Sequence, residues 1–82
     1  MKTIADMLEE ARQERGLSKV AAARELGCSE MTYSMWARGV WTPDASRADA
    51  LATFTRKDHA EILGFLGLLN EEEVATLMRK RS

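Results

Sequence analysis

The chain has 82 residues, a formal net charge of −1, 45% apolar and 30% charged side chains, one proline and five glycines, which excludes a disordered or fibrous chain and a blanket polycationic nucleic-acid coat. A single cysteine, Cys28, leaves no partner for an intramolecular disulfide and no Cys-based metal cluster. The longest apolar run, residues 62–69, is too short to span a bilayer.

These bounds predict one soluble domain over residues 1–82, folded in a reducing cytoplasm. A domain this small buries only about 60% of the surface its unfolded chain exposes. Its own core is therefore modest, and a partner subunit would add stability. The charge is unevenly placed. Residues 12–57 hold eight Lys and Arg against five Asp and Glu, and both ends are acidic. The basic middle permits contact with a polyanion without requiring it.

No stretch shows the alternation or hairpin turns of strands, so the reading is all-α. The first helix starts at Thr3, with Asp6 placed to complete a cap, and carries Ile4, Met7, Leu8 and Ala11 on one side. It stops at Gly16. Ser18 caps a second helix whose Ala21, Ala22 and Ala23 allow close approach of a neighbour; Gly27 ends it. Ser29 caps a third helix that carries Tyr33 and Trp36 and ends at Gly39. Thr42-Pro43-Asp44 is expected to open a fourth, with Pro43 at its first position and Ala45, Ala48, Leu51, Ala52 and Phe54 inward. Thr55 with Asp58 reads as the next start, leading from His59 to Leu69. Asn70, followed by Glu71, Glu72 and Glu73, starts a short last helix that Arg79, Lys80 and Arg81 complete at its negative end.

Two helices joined through a glycine turn form a helix-turn-helix, here over residues 18–39. Residues from about Met7 to Phe54 resemble the Cro/repressor-type (XRE-type) helix-turn-helix family. The resemblance rests on the segment RQERGLS, on Ala23 and Leu26, on Gly27 and Ser29, on Ser34-Met35-Trp36, on Arg38-Gly39 and on Pro43. It implies a lambda-repressor-like bundle of about five helices with a short extra C-terminal one. It also implies a third helix lying in the DNA major groove beneath the second. The chain departs from the family where Lys19-Val20-Ala21, Ala22 and the methionines of the third helix stand.

At 100° per residue, setting Glu30 at 0° puts Ser34, Arg38, Met31 and Met35 between about 40° and 140°, and Trp36, Tyr33 and Ala37 between about 240° and 340°. The aromatic side is core. The other side, Glu30, Met31, Ser34, Met35 and Arg38, is the candidate base-reading set. A carboxylate accepts from the cytosine amino group, methionines touch thymine methyls, a hydroxyl donates or accepts, and a guanidinium reaches guanine or phosphate. Phosphate contacts are expected from Ser18, Lys19, Ser29, Thr32, Thr42 and Arg47, Lys19 by family position. Arg12, Arg15 and Arg24 read as solvated surface charges. The methionine pair has a second reading, a hydrophobic surface for a protein partner.

Residues 62–78 hold more apolar side chains than a small three-helix core absorbs. Either the last helices only cover that core, or residues 56–80 form a homodimer surface, with Leu66, Leu69, Val74, Leu77 and Met78 at the interface. The expected function is a sequence-specific double-stranded DNA-binding transcriptional regulator, a repressor on an inverted-repeat operator, in a bacterial or phage-infected cell. The alternative is a helix-turn-helix shape used for protein contact. One His, one Cys and scattered carboxylates provide no nucleophile–base pair and no ligand cluster, so no enzyme, metal or cofactor is expected.

Overall fold

The computed structural model describes residues 2–81 and is all-helical among them. The helices are α1 (Ile4–Glu14), α2 (Lys19–Leu26), α3 (Glu30–Ala37), α4 (Ala48–Thr55), α5 (His59–Phe65) and α6 (Glu71–Arg81), with one 3-10 turn, Ala45–Arg47, ahead of α4. Short polar caps set the starts. The Thr3 hydroxyl accepts from the Asp6 amide while Asp6 accepts back from the Thr3 amide, a reciprocal capping box. Ser18 and Ser29 accept from the amides of Ala21 and Thr32. Asn70 and Glu73 repeat the capping box at α6. The C-terminal helix, expected to be short, has eleven residues and matches α1 in length.

Three boundaries differ from the sequence expectation. Asp44, expected inside the fourth helix, instead caps a tight turn: its carboxylate accepts from the Ser46 amide and hydroxyl. The α-helix then starts only at Ala48, which leaves Pro43 buried ahead of the cap rather than in the first turn. Thr55, expected to start α5, is the last residue of α4, and its hydroxyl donates back to the Leu51 carbonyl at 2.7 Å. Arg56 closes α4 in the left-handed region at φ 58°, and Asp58 caps α5. Finally, α5 ends at Phe65 instead of running to Leu69. The Leu68 amide turns back to the Leu63 carbonyl at 2.9 Å through Gly67, so the leucines after it lie in a bend.

The core runs through α1–α5. Met7, Leu8, Ala22, Ala23, Leu26, Tyr33, Trp36, Leu51, Phe54 and Ile62 are all buried. The alanines of α2 let it sit close to both α3 and α4. Leu66, assigned to a dimer surface from sequence, packs half-buried against this same core together with Leu63; it is the cap residue directly after α5 and keeps the helical backbone. α6 packs on α5, where Gly64 faces Val74 so closely that an added Cβ would stand 2.7 Å from a Val74 methyl.

Candidate nucleic-acid interface

The segment from Ser18 to Gly39 has the expected shape. α2 ends at Gly27, at φ 71°, and α3 ends through Arg38 into Gly39, at φ 74°. Both glycines occupy a conformation that would strain a residue with a Cβ. Between the helices Cys28 is half-buried, and burial pushes its thiol pKa up, which suits a small turn residue rather than a reactive one.

α3 is anchored from behind. Tyr33 and Trp36 are buried, and the Tyr33 hydroxyl donates to the Leu8 carbonyl of α1 at 3.3 Å. Burial, more than any neighbouring charge, pushes the Tyr33 pKa up to about 12. A third contact comes from Arg47 in the 3-10 turn. Its Nη1 donates to the carbonyls of Leu26 at 3.3 Å and Gly27 at 3.2 Å, and its guanidinium lies 5.7 Å from the centroid of the Trp36 ring. Arg47 therefore bridges the end of α2, the turn and the back of α3. This cation, expected on phosphate, is engaged inside the protein. Its role depends on residues 20 positions away, which no local pattern signals.

Arg12 and Arg15 are also engaged rather than merely solvated. Arg12 grips Glu9 and donates to the Leu17 carbonyl, fixing the α1–α2 connection. Arg15 holds Glu25 of α2 with two bonds of 2.7 Å and lies over the Phe54 ring. In each case the nearby carboxylate holds the guanidinium pKa above its ordinary value.

The outer side of α3 divides in two. Glu30, Met31 and Arg38 are exposed, Met31 at 65%. Ser34 and Met35 are half-buried, and the chain after the helix turns back on its end: the Val40 and Trp41 amides both donate to the Met35 carbonyl, at 2.9 and 3.2 Å. Lys19 and Thr42 are exposed. The Ser18 hydroxyl is occupied as a cap acceptor. That of Ser29 both caps and donates to Thr32 Oγ1 at 2.9 Å, leaving the Thr32 hydroxyl hydrogen free to donate outward. Sequence reading did not single out Val20 and the Val40-Trp41 pair, all exposed apolar residues around the same motif. They fall outside any helical stripe.

Among the described residues no group of His, Cys, Asp and Glu could hold a metal ion, and no helix is long and apolar enough to cross a membrane. Comparison with curated proteins and with solved structures gives no match. The helix-turn-helix family profile does match, over residues 8–62, from α1 to α5 and leaving α6 outside. The family is thus found on the same two capped helices and glycine turn that the geometry singles out, and the chain belongs to the helix-turn-helix family of Cro/repressor (XRE) type, a family of DNA-binding regulators.

Proposed function

We propose that the protein is a transcriptional repressor that binds an inverted-repeat operator as a homodimer and acts by occupying promoter DNA. The observation that carries this reading is the two-sidedness of α3. Its aromatic side is fixed to α1 and Arg47, while Glu30, Met31 and Arg38 stand free on the other. A rigid scaffold with an exposed, chemically mixed helix face is what groove reading requires. Glu30 accepts from a cytosine amino group and repels phosphate in a wrong register. Met31, with Met35 partly behind it, contacts thymine methyls. Ser34 and Arg38 complete the set. Lys19, Thr42, Thr32 and the amides at the capped starts of α2 and α3, beside Ser18 and Ser29, grip the flanking phosphates.

One specific observation favours a second reading. Met31 and Val20 are both exposed, and apolar side chains there also suit a protein partner. Selection of duplexes from a randomised pool by the purified protein, at low and moderate salt, decides between the two. Enrichment of an inverted repeat, with half-sites about one helical turn apart, is expected. It should fall away for Arg38→Ala. No enrichment at either salt sinks the DNA reading and leaves protein contact.

A further inference from the structure

Glu30 and Met31 are the first two residues of α3, and both are exposed, Met31 at 65%. The first residues of a recognition helix are the ones that reach base edges. The Ser29 hydroxyl holds the Thr32 amide, so two neighbouring side chains project from a fixed helix start. Between Ser18 and Gly39 the chain carries two carboxylates. Glu25 is held by Arg15. Glu30 forms no ion pair and no side-chain hydrogen bond among the described residues. The positive start of the helix accounts for an acid at this position, but not for an exposed thioether beside it. A carboxylate carried into a DNA groove is repelled by phosphate and must meet a donor to offset that repulsion. The donors on the major-groove edges are the amino groups of cytosine and adenine.

From these observations we infer that Glu30 and Met31 together take a single base, 5-methylcytosine. This rests on the groove-reading function above and narrows its cytosine and methyl contacts to one base pair. Thymine carries its C5 methyl beside an acceptor, O4, which the Glu30 carboxylate opposes. The adenine amino group lies between two acceptors, its own N7 and the O4 of the paired thymine, and that O4 separates it from the thymine methyl. Unmodified cytosine offers the amino donor with no methyl, which leaves Met31 uncovered. Methylation at C5 puts a methyl group directly beside the N4 amino group, with no acceptor between them. A carboxylate flanked by a thioether is the complement of a donor flanked by a methyl. Glu30 accepts from the N4 amino group while Met31 covers the methyl. Burying one methyl contributes roughly four-fold in affinity, so two half-sites contribute roughly 15-fold. Cytosine methylation of the operator is then the signal that strengthens its occupancy.

Selection by the purified full chain from a mixture of two barcoded randomised pools, one copied with cytosine and one with 5-methylcytosine, tests the shared base. The enriched inverted repeat should carry a cytosine at a fixed position of each half-site and should come predominantly from the methylated pool. Fluorescence anisotropy on that duplex, altered at this position alone, should rank 5-methylcytosine roughly 15-fold tighter than cytosine, and thymine weaker than either. Met31→Ala should bind the methylated and unmethylated duplexes alike. Glu30→Gln, whose amide can donate to O4, should lose the discrimination between cytosine and thymine. An unchanged Tm shows that both variants stay folded. The same repeat drawn equally from both pools, thymine bound as well as 5-methylcytosine, or a methyl preference that survives Met31→Ala overturns the shared base and keeps the proposed function. No enrichment from either pool removes both.

Discussion

Replacing Arg47 with alanine should destabilise the protein without touching DNA directly. In the structure one Nη1 donor serves two carbonyls at the end of α2, at 3.2 and 3.3 Å, and the guanidinium stacks 5.7 Å from the Trp36 centroid. Hydrogen bonds from charged donors contribute about 1.5–3 kcal/mol. This one is shared, long and half-exposed, and water can replace it, so about 1 kcal/mol is the fitting value. The cation–π contact adds roughly 0.5–1 kcal/mol. A total near 1.5–2 kcal/mol corresponds to a fall in Tm of roughly 8–12 °C for a domain of this size. Thermal unfolding at low and high salt measures it, and high salt should change the loss little because the contact is not a surface ion pair. Arg47→Lys keeps the charge but loses the planar fork, and should recover less than half of the stability. An unchanged Tm, with DNA affinity reduced equally for all sequences, would refute the bracing role and restore Arg47 to phosphate.

Tyr33→Phe should cost about 1 kcal/mol through loss of the bond to the Leu8 carbonyl. Because the folded pKa of Tyr33 is raised to about 12 from about 10 when unfolded, its stabilising contribution is complete below pH 10 and is lost as the pH rises from 10 to 12. Urea unfolding from pH 8 to 11.5 should show that loss in the wild type and not in the phenylalanine variant. Gly64→Ala gains up to ~1 kcal/mol of helix propensity but forces a Cβ against the Val74 methyl at 2.7 Å. Hydrogen exchange should therefore accelerate in α6 while α1–α3 keep their protection.

Much of this was legible because it is local. A cap is a side chain bonding an amide two or three residues on, so Thr3, Ser18, Ser29 and Asn70 reveal themselves in sequence, and Gly16, Gly27 and Gly39 mark the stops. The buried side of α3 follows from spacing alone, since Tyr33 and Trp36 lie three residues apart. Depth does not. The 100° projection places Ser34 and Met35 beside Glu30 and Met31, but in the fold Ser34 and Met35 are half-buried where the chain after Gly39 turns back to the Met35 carbonyl, while Glu30 and Met31 stay exposed. An unbroken apolar run concealed the end of α5, because nothing in Leu66 or Leu68 announces that the chain bends at Gly67. Arg15 and Arg47 read as outward cations because their acceptors, Glu25 and the carbonyls of Leu26 and Gly27, come from distant parts of the chain; the Glu9 partner of Arg12 lies one turn back on the same helix and is within reach of the spacing.

That last correction changes the electrostatics of DNA binding. With Arg12, Arg15 and Arg47 engaged inside the protein, the exposed cations of the motif that face outward at the reading helix and the start of α2 reduce to Lys19 and Arg38. If each neutralises one phosphate, the proposed homodimer releases counterions at about four, and the slope of log K against log salt should be near −3.6. Between 50 and 200 mM salt that is a loss of roughly 150-fold, modest for a specific regulator. Lys19→Ala, absent from both copies, should bring the slope to about −1.8 and weaken all sequences alike. Fluorescence anisotropy on one selected and one scrambled duplex measures both. A wild-type slope steeper than about −6 would require further cations on the backbone, and substituting Arg24, Arg56 and Lys57, which are also exposed, alongside Arg47 would show which of them supply it. A slope near the expected value would mean that this protein relies less on general attraction to DNA than on the fit of Glu30, Met31 and Arg38 to base edges, with its second copy supplying the remaining affinity.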